Sequence, residues 1–153
     1  MLNENFNTVS IQRDPNNHNY YYLKVPQDKT ITQDIKALLH QKILPEDRRC
    51  FKFSQNSVGW HITILKNGSS KQMQILEDNI GKEIHIDYTS VAVITFILKH
   101  SHTREVVYFV NVKFTQDDYE SIGLNPYDFK NNHKPHLTLA LFKKDQNNEC
   151  VKY

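Results

Sequence analysis

Apolar residues fall in two different periods along this chain. YYYLKV at 20–25 is rich in β-forming residues and stops at Pro26, which predicts a strand. TITQDIKALLHQK then places Ile31, Ile35, Leu38 and Leu39 on one helical face, with Thr30 and Gln33 as a capping box. WHITIL at 60–65 alternates and predicts a second strand, and CFKF at 50–53 suggests a short one before it. The run NGSSKQMQILEDNIGK returns to helical spacing. Ser69 with Gln72 caps it, Met73, Leu76 and Ile80 line one face, and Gly81 stops it.

Three strand patterns follow: EIHIDY, VAVITFIL and VVYFVNVKF, the last two joined as a hairpin by KHSHTRE. TQDDYESIGL is a short helix at most, and HLTLALF is the last strand. Residues 1–19, rich in Asn with a turn at Asp14-Pro15, form a polar lead-in, and 143–153 form a polar tail. The order predicts one α+β domain over 1–153, and each half of it supplies one strand bearing a His-x-Thr triplet.

The doubled triplet carries the chemistry. Alternation puts His61 and Thr63 on one face of their strand, with Trp60, Ile62 and Ile64 on the other. His136 and Thr138 likewise share a face, opposite Leu137, Leu139 and Leu141. Eight His and nine Thr scattered at random give only about half of one such triplet in 153 residues. Two imidazoles and two hydroxyls lining one cleft suit phosphodiester cleavage. A neutral histidine takes a proton from the attacking hydroxyl or water, and a protonated one gives a proton to the leaving oxygen. An ordinary imidazole pKa of about 6.5 supplies both forms near neutrality. The threonines can hydrogen-bond the non-bridging phosphate oxygens. No carboxylate-rich magnesium site or His/Cys zinc site is visible in the sequence, so no metal or other cofactor is expected.

The pair HITIL and PHLTLAL, with a proline before the second and Tyr127 and Phe129 upstream of it, resembles the two-histidine (2H) phosphoesterase superfamily. The resemblance covers about residues 20–142. It implies a bilobal α+β fold, with two antiparallel sheets facing across a groove and helices outside. It also implies His61, Thr63, His136 and Thr138 as the catalytic quartet. The substrates it implies are small nucleotides or oligonucleotides: 2′-5′-linked oligoadenylates, cyclic di- or oligonucleotide messengers, or terminal 2′,3′-cyclic phosphates. Compact viral members destroy such immune messengers. RNA end processing, or a non-catalytic RNA-binding module on the same scaffold, are the alternatives. The chain departs from the family in its second lobe, where TQDDYESIGLNPYDF replaces a full helix.

Aromatic residues can hold bases by stacking. Alternate members of Tyr20, Tyr21 and Tyr22, with Tyr127 and Phe129, are the candidates, and Tyr21 is the one favoured in the first group. Lys134 is the candidate phosphate-attracting lysine, ahead of Lys66 and Lys130. His100 and His102 in the HSH run read as a solvated turn, and His85 with Asp87 as a solvent-facing pair.

Composition narrows the class. With 39% hydrophobic and 24% charged residues the chain is globular, and a net charge of +2 is too mild for a duplex DNA binder. Cys50 and Cys150 lack CxxC spacing and are expected as free thiols in a reducing compartment. The N-terminal residues do not resemble a signal peptide, and no apolar run reaches the ~18 residues of a membrane helix. A cytoplasmic protein without a membrane partner is expected.

Overall fold

The computed structural model describes residues 6–50, 59–98, 102–113, 115–123 and 135–151. Strands β1 (Thr8–Asp14) and β2 (Asn17–Lys24) form a hairpin, and helix α1 (Lys29–Lys42) leads to a 3₁₀ turn over Pro45–Cys50. Next come β3 (His61–Lys66), α2 (Ser70–Asp78), β4 (Glu83–His85), β5 (Asp87–Tyr88), β6 (Ala92–Ile97) and β7 (Arg104–Lys113). The short α3 (Gln116–Ser121) precedes β8 (His136–Lys144). The fold is α+β, and its strands hydrogen-bond in the order β4-β1-β2-β3-β8-β7-β5, with β6 also on β7. All the pairings are antiparallel.

The expected lead-in is corrected: residues 8–14 are a full strand. Val9 and Ile11 alternate into the core, and Phe6 before them is fully buried. Glycine-free hairpin closure at Asp14–Asn17 holds β1 against Tyr21–Lys24. The EIHIDY run splits as well. β4 pairs with β1, whereas β5 pairs with β7 at the other end of the strand order. Only the buried Ile86 separates them, so these two ends lie within about 7 Å of chain and the sheet bends back on itself.

One face of the sheet carries the core. Leu23, Ile62, Leu137 and Val110 lie there fully buried. Helix α1 contributes Ile31, Ile35 and Leu39, three of the positions that helical spacing predicts. Its N-cap, however, is Asp28, whose carboxylate accepts from Thr30 N and Ile31 N, and not Thr30. Helix α2 keeps its predicted Ser69–Gln72 capping box and buries Leu76, but Ile80 falls beyond the C-cap and is exposed. The Tyr21 hydroxyl donates to Glu77 of α2 (2.8 Å), which fixes α2 on the core face.

The polar tail is corrected too. Lys144 on β8 is buried and pairs with the buried Asp47, which also accepts from the Tyr108 hydroxyl. Burial and then that bond push the Tyr108 hydroxyl up from its ordinary value, so it stays a donor. Such a network costs less buried than broken. Beside it Cys50 and Cys150 are disulfide-bonded, with Cα atoms 5.3 Å apart, and not the free thiols expected. The fold brings the 3₁₀ turn and the bridge Lys144–Cys150 together across 100 residues. Among the described residues no helix is long and apolar enough to cross a membrane.

Candidate active site

The two triplet strands are neighbours. β3 meets β8 through one register pair, Ile62 opposite Leu137, both fully buried. Alternation then turns His61, Thr63, His136 and Thr138 to the opposite face together. Antiparallel geometry sets Thr138 beside His61 and His136 beside Thr63. The four side chains form a square whose diagonal joins the histidines, at roughly 7–8 Å. His61, Thr63 and Thr138 are half-buried and His136 is exposed, so none of the four is sealed in the core.

Each triplet strand has the same irregularity. On β3, Thr63 pairs with Tyr22 and Leu65 with Tyr21, so Ile64 is an extra residue. On β8, Thr138 pairs with Phe109 and Ala140 with Tyr108, so Leu139 is extra. A β-bulge thus follows the threonine in both, and it twists the strand locally. It also shifts the phase: Leu139 and Ala140 are both buried, whereas Leu141, expected on the buried face, is half-buried.

His61 is held from its own backbone. Its Nδ1 lies 2.8 Å from the Gly59 carbonyl oxygen, which can only accept, so Nδ1 carries a proton and, in the neutral ring, the lone pair is the one on Nε2. Gly59 has φ +72°, a conformation that other residues rarely adopt, so the placing of this carbonyl favours glycine.

The neighbouring strands complete the face. Lys24 stands beside His61 and Tyr22 beside Thr63. Tyr22 meets the His61 ring edge-on at 5.6 Å, Tyr20 meets it at 6.4 Å, and the Tyr20 hydroxyl is hydrogen-bonded to that of Thr63. Burial, and then the charge of Asp14, push the Tyr22 hydroxyl up from its ordinary value, which keeps it protonated. On the other side Asn111 stands beside His136 and Phe109 beside Thr138, and the Phe109 ring is edge-on to His136 at 5.8 Å.

The structure therefore corrects the expected base-contacting residue. Tyr21 is buried on the core face, and burial followed by its bond to Glu77 raises its hydroxyl. Tyr20 and Tyr22 are the members of that run that face the histidine. Tyr127, Phe129 and Lys134 lie outside the described residues, as do Lys130 and CFKF beyond Cys50. Lys24, Phe109 and Asn111 were not expected. Their signal is the same two-residue alternation: Tyr20, Tyr22 and Lys24 in one run, Val107, Phe109 and Asn111 in the other.

Among the described residues no three His, Cys, Asp or Glu side chains gather as metal ligands would. His85 and Asp87 are exposed, as expected, and His102 is exposed in its turn, where His100 lies outside the described residues. Comparison of the chain with protein-family models, with curated proteins and with solved structures finds no match.

Proposed function

We propose that this chain is a phosphodiesterase that works by two-histidine acid–base catalysis on a small nucleotide or oligonucleotide. The observation that supports it is the pairing of Ile62 with Leu137, which sets both His-x-Thr pairs side by side on one open face. His61, with its lone pair on Nε2, takes the proton from the attacking ribose hydroxyl or water as the new P–O bond forms. His136, protonated, donates to the oxygen leaving from phosphorus. The Thr63 and Thr138 hydroxyls hold the non-bridging oxygens. In this reading the two halves that meet at the β3–β8 junction serve as the two lobes.

Lys24 and the Tyr20 and Tyr22 hydroxyls favour an anionic substrate bearing bases. The reading names 2′-5′-linked oligoadenylates or cyclic di- and oligonucleotide messengers, cleaved without metal, in opposition to immune signalling. The test is a panel of 2′-5′ oligoadenylate, cyclic dinucleotides and 2′,3′-cyclic nucleotides incubated with the protein in EDTA. Cleavage of the first two classes is expected. Cleavage of 2′,3′-cyclic ends alone would make it an RNA end-processing enzyme. Binding to RNA without cleavage of any member would make it a binding module. Activity only after added magnesium or manganese would end the two-histidine mechanism.

A further inference from the structure

Among the described residues, strand β6 has β7 on one side and no strand on the other. Its sequence, Ala92 to Ile97, has no charge and no proline, two of the devices by which edge strands avoid pairing with other chains. Six large hydrophobic residues are exposed among the described residues, and four of them are on this strand: Val93 at 43%, Ile94 at 42%, Phe96 at 48% and Ile97 at 79%. They lie on both faces. Ile94 and Phe96 share a face with Val107 and Glu105, and Val93 and Ile97 share the other with Tyr108 and Arg104.

We propose that β6 pairs antiparallel with β6 of a second copy about a two-fold axis through Thr95. In that register Ile94 of each copy faces Phe96 of the other, and Val93 faces Ile97. Every exposed apolar residue of the strand then meets another, and Thr95 meets Thr95, a favourable cross-strand pair. The match is self-complementary, as a two-fold interface requires. A charged partner strand would leave both apolar faces without a counterpart. A fully covered aromatic side chain buries about 150–250 Å² and an aliphatic one less, so these partial exposures amount to a few hundred Å² per copy. That is below the roughly 800 Å² per partner of a standard interface, so the dimer is one that dissociates on dilution.

Analytical ultracentrifugation of the whole chain from about 1 to about 200 µM covers the range in which such a small interface forms. The sedimentation coefficient is expected to rise from monomer to dimer and stop there. A monomer at every concentration, or growth past dimer, overturns the proposal. Two double variants test the register. Val93→Lys with Ile97→Lys sets like charges opposite one another and should give monomer throughout. Val93→Glu with Ile97→Lys sets opposite charges there and should keep the dimer, more weakly at high salt. Melting temperatures within a few degrees of wild type verify folding. Should the first variant not fold, the wild-type titration and the second variant decide alone. Loss of the dimer in both folded variants would overturn this register.

Discussion

The two halves of the candidate site share a backbone frame and differ in chemistry. Each half is a triplet strand, an outer neighbour and a bulge directly after the threonine. Equivalent positions can therefore be compared. Lys24 beside His61 corresponds to Asn111 beside His136, and Tyr22 beside Thr63 corresponds to Phe109 beside Thr138. One step further along, Tyr20 with Lys66 corresponds to Val107 with Leu141. The first half supplies cations and hydroxyls, and Tyr20 orients the Thr63 hydroxyl. The second half supplies an amide and hydrocarbon, and Val107 offers no hydroxyl to Thr138. A repeated frame fixes where the reacting groups stand, while the flanking strands decide what each half can hold. For the proposed activity, phosphate charge is held mainly by the first half, and the second receives an uncharged part of the substrate.

The largest expected effect tests what the halves share. His61→Ala and His136→Ala should each lower turnover by about 10²–10⁴-fold, the usual worth of one proton-transfer role. The double variant should be little worse than either single, because the two act as one unit. Both histidines face away from the core, so melting temperatures should stay near wild type. A folded single variant that cleaves normally would remove the catalytic assignment.

The next effect tests what they do not share. A charge-assisted hydrogen bond is worth about 1.5–3 kcal/mol and a neutral one about 0.5–1.5 kcal/mol. Lys24→Met should therefore lower kcat/KM by about 10–100-fold, and Asn111→Leu by about 2–10-fold. Wild-type KM should rise with ionic strength, and that of Lys24→Met should rise less. Equal losses in the two variants, or a larger loss at Asn111, would mean that the charge is not divided in this way.

Much of this frame is legible in the sequence, and its failures have physical causes. Alternation around His61 and His136 identifies the quartet because the buried partners Ile62 and Leu137 are unmistakably apolar. The same rule misplaces Leu141, since a bulge inserts one residue and reverses the phase, and bulges leave no composition signal. It favours the wrong member of Tyr20, Tyr21 and Tyr22, because three identical residues carry no phase of their own. β1 is hidden by asparagines and by Arg13 and Asp14, although Val9 and Ile11 alternate within it. Asp28 and Thr30 are both good caps, and only the entry angle of the chain selects Asp28. The Cys50–Cys150 bond and the Lys144–Asp47 pair depend on contacts across about 100 residues, which spacing rules do not reach.

The smallest expected effect on turnover concerns that disulfide, and it separates the frame from the fold. Cys150 is bridged to Lys144, eight residues along β8 from His136, or about 27 Å at strand rise. Neither half of the site touches it. Closing a loop of 100 residues is worth up to about 4.7 kcal/mol in the chain-entropy account. For a chain of this size each kcal/mol shifts the melting temperature by about 2–4 °C, so reduction, or Cys50→Ser with Cys150→Ser, should lower it by about 10–20 °C. The Asp47–Lys144–Tyr108 network still ties the 3₁₀ turn to the sheet, so the reduced protein should remain folded at 20 °C or so. There its turnover should stay within about two-fold of the oxidised protein, and the Lys24 and Asn111 variants should keep their ratio. Turnover lost on reduction while circular dichroism is unchanged would tie the far end of β8 to the site, and the two halves could then no longer be treated as set by their flanking strands alone.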